Sequence, residues 1–385
     1  MTSIFDTVLD RRATESLKWR AYAADVLPMW VADMDFRSPE PVIAALHERV
    51  EHGVFGYPGR VSGFNEVIME RMAQRYGWQV SAEEIVMVPG VVTGFNWVAQ
   101  TFCAPGQAVL VQTPVYPPFL SAPANSGLLR QDAALVRRAD GRYEIDFEAF
   151  EQAITPQTRL FILCNPHNPV GRVFTPAELT RLAEICLRHD VLICSDEIHC
   201  DLVYSPYQHT PIASLDAEIA QKTVTLMAPS KTYNIAGLEC SFAIVPNAAL
   251  RQQLQEGRRG VVGWVNVLGQ VAALAAYRHG QPWLDELLLY LQANRDLTES
   301  FVRQYLPGVQ MGPIEGTYLA WLDCRATGLE DPYQFFLDEG RVALSNGADY
   351  GPGGQGFVRL NFGCPRAMLQ EALQRMQQAL LKRNH

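Results

Sequence analysis

Six short apolar runs, Ile85 to Val88, Ala108 to Gln112, Arg159 to Cys164, Val191 to Ser195, Thr223 to Met227 and Ser241 to Val245, are spaced along the chain, with longer amphipathic stretches between most of them. Runs this short and apolar predict strands buried on both faces, and the stretches between them predict helices packed over those strands. The segment Thr175 to His189 is of the second kind. Thr175 is a capping residue, Pro176 takes the first helical position and Glu178 stands three after the cap, while Leu179, Leu182, Ile185 and Cys186 form one apolar stripe. Strands alternating with helices imply an α/β fold whose central sheet is mostly parallel and flanked by helices.

From about residue 285 the pattern changes to a long helix, Trp283 to Leu306. Strand-like Tyr318 to Leu322, Val342 to Leu344 and Phe357 to Asn361 follow, then a final helix from Pro365. A smaller α/β domain is expected here, because 385 residues at 48% hydrophobic content exceed what one compact core usually holds. The first 45 residues contain no strand–helix unit of the central kind and are expected to pack with the carboxyl-terminal part. The predicted division is a large domain over 46–282 and a small domain formed by 1–45 and 283–385.

A net charge of −9 leaves no basic footprint for nucleic acid or an anionic membrane surface, so neither is expected as a partner and a small-molecule enzyme fits better. The eight cysteines have no CxxC spacing, and several, such as Cys164 and Cys194, lie inside apolar runs, which predicts reduced core thiols and no metal site. The start, Met-Thr-Ser-Ile-Phe-Asp, has no apolar stretch of signal-peptide length, and no run approaches the roughly 18 apolar residues that span a bilayer. A cytoplasmic location is expected.

Three polar groups stand just after three of the runs: Asn168, Asp196 and Lys231. In an open α/β sheet the ligand lies outside the carboxyl ends of the strands, so these side chains can converge on one ring-shaped cofactor, for which pyridoxal phosphate is the natural candidate. A lysine must bind that cofactor covalently and later remove the Cα proton of the substrate. A carboxylate must keep the pyridine nitrogen protonated, and an aspartate after a fully apolar strand needs a cationic partner of that kind. Asn168 can donate to the phenolate oxygen. The turn Pro89-Gly90-Val91-Val92-Thr93-Gly94 opens an uncharged helix, so the backbone amides of Val91 and Val92 and the helix dipole can face a phosphate. Ser230 and Tyr57 can add hydroxyls, and Arg359 can bind a substrate carboxylate in bidentate fashion. Taken singly, each has an ordinary reading as a surface lysine, a strand-end cap or a common glycine turn. Their shared order and placement favour the cofactor site.

The chain resembles the fold-type-I pyridoxal-phosphate enzymes of the aspartate aminotransferase superfamily, and within it the MalY/PatB-type carbon–sulfur β-lyases, often called cystathionine β-lyases. The resemblance covers nearly the whole chain. It rests on Trp-Val-Ala-Asp-Met-Asp-Phe at 30–36, Gly-Val-Phe-Gly-Tyr at 53–57, Thr-Pro-Val-Tyr at 113–116, Asn-Pro-His-Asn-Pro-Val-Gly at 165–171, Ser-Asp-Glu-Ile-His-Cys-Asp at 195–201, Ser-Lys-Thr-Tyr-Asn at 230–234, Gly-Thr-Tyr-Leu-Ala-Trp-Leu-Asp at 316–323 and Phe-Val-Arg-Leu-Asn-Phe-Gly-Cys-Pro at 357–365. It implies that Lys231 is the Schiff-base lysine, Asp196 the pyridinium partner, Asn168 the phenolate donor, Tyr116 the ring-stacking aromatic and Arg359 the carboxylate anchor. It further implies that Ala32 lines the substrate pocket through its backbone amide, that His199 lies near the ring, and that Tyr57 reaches the phosphate of the neighbouring subunit, which requires a homodimer with shared active sites.

Two departures stand out. Many superfamily aminotransferases have an arginine eight residues after the lysine to neutralise the phosphate, where this chain has Glu239, and Ala228 replaces the serine often found three before the lysine. The phosphate is therefore expected to depend on the helix amides, Ser230 and Tyr57. The implied reaction is β-elimination from L-cystathionine or a related L-cysteine S-conjugate, giving a thiol, pyruvate and ammonia. An aminotransferase shares every residue named and is the alternative in chemistry. A regulatory protein-binding role, known for some relatives, is the alternative in kind.

Overall fold

The computed structural model describes residues 3–383. Its central sheet has eight strands in the spatial order Ile85–Val88, Ser241–Ile244, Thr223–Met227, Leu192–Asp196, Thr158–Cys164, Ala108–Thr113, Leu129–Arg137 and Tyr143–Ile145. Pairing is parallel from Thr223–Met227 across to Leu129–Arg137. Ser241–Ile244 runs antiparallel between its two neighbours, and Tyr143–Ile145 closes the far edge, also antiparallel. All six apolar runs are strands of this sheet, and the inner ones are buried along their length except at Arg159, as strands covered on both faces must be.

The strands Leu129–Arg137 and Tyr143–Ile145 were not expected. The first carries Arg130, Gln131 and Asp132 and alternates between exposed and buried positions over its second half, as a strand with one face toward water does, so no apolar run marks it.

Helix Pro176–Arg188 has the anticipated capping box: the Glu178 amide donates to Thr175 Oγ1 at 3.2 Å and the Thr175 amide donates to Glu178 Oε2 at 2.8 Å. Helix Val91–Phe102 lies against the sheet at Gly94, where a Cβ would come within 2.9 Å of the Leu226 side chain and 3.2 Å of that of Val88. Glycine is what allows this helix to sit so close to the strands.

The later part of the chain forms helix Gln281–Tyr305, a four-stranded antiparallel sheet in the order Gln310–Met311, Leu319–Asp323, Phe357–Asn361 and Ser345–Asn346, and helix Arg366–Arg383. The amino-terminal segment joins it, since Leu27–Pro28 pairs in parallel with Val342–Ala343. A single apolar cluster continues from Phe5, Met34 and Phe64 through Leu284 and Leu319 to Leu373. Among the described residues, no helix is long and apolar enough to cross a membrane.

Candidate active site

Strand register brings three loops to one edge of the central sheet. Cys164 pairs with Asp196 and Asp196 with Leu226, so three parallel strands end level. Asn168 stands just beyond the first strand, Asp196 is the last residue of the second, and Lys231 stands just beyond the third. Their side chains line one cavity of about 230 Å³.

Each loop is held by buried polar contacts. Beyond Asn168, the fully buried Arg172 donates to Tyr143 O, from Nε to Glu315 Oε2 at 3.0 Å and from Nη2 to Glu178 Oε1 at 2.8 Å. Losing one partner of such a buried pair costs about 3–5 kcal/mol, so this loop is firmly fixed. In the lysine turn, Thr232 Oγ1 donates to Asp201 Oδ2 at 3.1 Å, and Asp201 Oδ1 is bridged by Arg71 at 2.7 Å and Arg75 at 3.1 Å. Asn234 fastens the same turn to the amino-terminal segment: its Oδ1 accepts the Met34 amide at 2.9 Å, and its Nδ2 donates to Met34 O at 2.9 Å and Phe36 O at 2.7 Å.

At one wall of the cavity, helix Val91–Phe102 begins after Gly90, which has φ of +89° and provides no side-chain cap. The first-turn amides of Val91, Val92 and Thr93 are left for a ligand, and the helix dipole favours an anion there. Ser230 lines the same space. So does Glu239, whose positive φ of 47° is a conformation that non-glycine residues seldom adopt. The cradle therefore gains no cation from the position where an arginine is common.

Asp196 is 5% exposed, accepts the Ile198 amide at 3.0 Å and has its carboxyl raised to about 7. Burial is the main cause and the neighbouring Glu197 adds to it, while Lys231 is the one cation acting against them. Lys231 is lowered to about 8, first by burial and then by Arg359, with Asp33 and Asp196 opposing. Its Nζ donates to Ala32 O at 2.7 Å, and the buried Tyr318 hydroxyl donates to the same oxygen at 2.9 Å. His199 is 3% exposed, its Nδ1 has no partner, and burial lowers it to about 3, so it is neutral in any working pH range.

These residues fit pyridoxal phosphate. A buried carboxyl whose charge no ion pair in hydrogen-bond contact offsets suits a pyridinium, a half-buried amine of depressed pKa suits a nucleophile, and an uncapped helix start suits a phosphate. Asn168 Oδ1 is taken by Arg359 Nη1 at 3.0 Å, which leaves Nδ2 as the amide's donor toward a ring oxygen.

Most of the residues expected from sequence meet here: Ala32, Val91, Val92 and Tyr116 line the cavity together with Asn168, Asp196, His199, Ser230 and Lys231. Ala32 engages Lys231 through its carbonyl rather than its amide. Arg359 is not on the wall; it lies buried behind Asn168 and also donates to Trp30 O at 2.7 Å and Ser345 Oγ at 3.1 Å, with its Nε unpartnered. Tyr57 is fully exposed and away from this cavity. Tyr318, Asn234 and Asp33 were not expected at the site, although each lies within a motif that carried the family resemblance.

Over residues 24–376 the chain matches the family described as Aminotransferase class I and II. It is 44% identical to the cystathionine beta-lyase PatB of Bacillus subtilis (strain 168), in an alignment covering 98% of this chain and 99% of that protein. Among solved structures, OvoB matches with a TM-score of 0.94 at 46% identity, covering 98% of each chain. Cystalysin from Treponema denticola, which contains a pyridoxal 5'-phosphate cofactor, matches with a TM-score of 0.96 at 32% identity, covering 100% of each.

Proposed function

The chain belongs to the class I and II aminotransferase family, in the branch of the PatB-type cystathionine β-lyases, and from that premise we propose how its own residues divide the work. It is a pyridoxal-phosphate-dependent carbon–sulfur β-lyase that cleaves L-cystathionine or related L-cysteine S-conjugates to a thiol, pyruvate and ammonia. Pyridoxal phosphate, when bound, supplies the electron sink that lets the Cα–H and then the Cβ–S bond break.

Lys231 anchors the cofactor covalently and, once the substrate has displaced it, takes the Cα proton at Nζ. Its depressed pKa leaves a useful fraction of neutral amine near pH 7. Asp196 presents its carboxylate to the ring nitrogen, and Asn168 donates from Nδ2 to the phenolate oxygen. Tyr116 packs on the ring and His199 lies beside it as a neutral imidazole. The amides of Val91 and Val92 with Ser230 hold the phosphate. Arg359 is the anchor for the substrate carboxylate, its buried Nε being the one guanidinium nitrogen that no other group engages, and Ala32 contributes its backbone at the substrate side.

The working unit is a homodimer in which the partner subunit's Tyr57 completes the phosphate site. Support comes from the exposure of Val54, Phe55 and Tyr57 on one segment and of Val261 and Trp264 on another, with Trp264 sharing a pocket with Pro58 and Gly59. Apolar surface of this kind marks an interface. We also infer two domains, 46–282 and 1–45 with 283–385; the pairing of Leu27–Pro28 with Val342–Ala343 supports this, while the shared apolar cluster joins the two parts. The eight free cysteines, seven of them buried, agree with a reducing, cytoplasmic setting.

The observation that carries this division of roles is a half-buried amine and a buried carboxyl, shifted toward each other in pKa, in one cavity beside an uncapped helix start. The experiment that tests it replaces Lys231 by alanine. The variant should keep its circular dichroism spectrum and lose both the covalent absorbance of the cofactor and pyruvate release from L-cystathionine. Retained pyruvate release would remove Lys231 from the reaction.

A further inference from the structure

The segment Trp30–Phe36 lies against Lys231, and one of its residues, Asp33, has no part in the chemistry above. Ala32 O receives Lys231 Nζ and the Tyr318 hydroxyl, and the peptides on either side of it are clamped. Asn361 Nδ2 donates to Val31 O at 2.6 Å and to Asp33 O at 2.8 Å, and Lys18 Nζ donates to Asp33 O at 3.1 Å.

The side chain of Asp33 is only half used. Its Oδ2 meets Arg11 Nη2 at 2.5 Å, while its Oδ1 is buried with no hydrogen-bond partner. Asp35, two residues on, is satisfied at both oxygens: Oδ1 by Arg11 Nη1 at 2.6 Å and Trp19 Nε1 at 2.7 Å, and Oδ2 by Lys18 Nζ at 2.6 Å. A buried carboxylate oxygen left unpaired is costly, so its retention beside the lysine calls for a reason. Burial is the largest influence on Lys231 and disfavours its ammonium; Asp33 comes next and favours it, ahead of Arg359, which opposes, and Asp196, which assists.

We propose that Asp33 is a positioning residue for the elimination: held by Arg11, it supplies the negative charge that steadies the ammonium formed when Lys231 takes the Cα proton, while Ala32 O fixes where that ammonium sits. The inference rests on the lyase reading above. In that step the Cα–H bond breaks, its electron pair stays with the substrate and cofactor, and an N–H bond forms at Nζ. The other groups facing Lys231 are Asp196 and His199 at the end of strand Leu192–Asp196, Arg359 on strand Phe357–Asn361, and Tyr318. His199 is neutral, and Asp196 is committed to the ring nitrogen, so Asp33 is the acid left for the lysine.

The test follows the uptake of pyridoxal phosphate by cofactor-free protein, read by absorbance across pH, because the rate tracks the neutral fraction of Lys231. In Asp33→Asn the pH of half-maximal rate should fall by roughly one unit, and in Arg11→Met, which frees the Asp33 charge, it should rise. With L-cystathionine, Asp33→Asn should lose kcat several-fold with KM unchanged. Identical midpoints in all three proteins would overturn the proposal, as would a shift in the same direction in both variants, the mark of a loosened segment. If wild-type protein takes up no pyridoxal phosphate at any pH, the reading of the whole site falls, and this inference with it.

Discussion

Arg359 Nη1 donates to Asn168 Oδ1 at 3.0 Å, so the residue proposed to hold the substrate also orients the amide proposed to hold the cofactor ring. The guanidinium is itself fixed by Trp30 O and Ser345 Oγ and lies over the Tyr350 ring at 5.3 Å. Because both ends of this contact are buried, neither side chain is free to turn away when a ligand arrives.

Replacing Arg359 by alanine should therefore act twice. Loss of a charge-assisted contact to the substrate carboxylate costs about 1.5–3 kcal/mol, or roughly 10- to 100-fold in kcat/KM, carried mainly by KM. Release of Asn168 should also shift the absorbance of the bound cofactor before any substrate is added. Steady-state kinetics and a spectrum of the resting protein check the two effects, and an unchanged KM would take Arg359 out of the site.

The carboxyl of Asp196 makes a prediction about pH. Its folded value of about 7 lies above that of an exposed aspartate, near 4, because burial penalises the charge. As pH rises between these values, the unfolded chain releases a proton that the folded, cofactor-free protein retains. Its stability contribution is thus full below about pH 4 and is lost as pH passes 7. A pyridinium beside the carboxylate removes the penalty, so the rise in Tm on adding pyridoxal phosphate should be larger at pH 8 than at pH 5. In Asp196→Asn that difference should shrink. Thermal scans of both proteins at the two pH values, with and without cofactor, decide the matter, and an equal rise at both pH values in the wild type would contradict it.

Glu239 sets the expectation for phosphate affinity. A carboxylate on the wall of an anion cradle repels a dianion, and its exposure at the cavity edge means that salt screens the effect. Glu239→Gln should bind pyridoxal phosphate roughly 3- to 10-fold more tightly at low ionic strength, with the gap closing at high salt. Equilibrium dialysis at two salt concentrations measures it. An identical Kd for the two proteins would mean that the side chain points away from the phosphate.

The parts of this molecule that can be read from sequence are those governed by local rules. Strands covered on both faces must be apolar throughout, which is why Thr223 to Met227 and its neighbours stand out, and the capping box at Thr175 and Glu178 is a short-range arrangement that leaves a short-range mark. Leu129–Arg137 escapes because half of it faces water. Lys231, Asp196 and Asn168 are legible because sheet topology carries strand ends to one place. The charge network around Asp33 is not, since Arg11 and Lys18 reach it from 22 and 15 residues away and no periodicity ties them together. The Arg172–Glu315 pair, 143 residues apart, is hidden for the same reason. That Tyr57 acts across a subunit boundary is suggested only by family resemblance, because its proposed target lies on another chain.

The most direct test of carbon–sulfur β-elimination is to incubate purified protein and pyridoxal phosphate with L-cystathionine, without any keto acid, and to follow thiol and pyruvate together over many turnovers. Equal and sustained release of both is the predicted result. Absence of steady release, with amino-group transfer appearing only once a keto acid is supplied, would contradict the lyase and make the protein an aminotransferase.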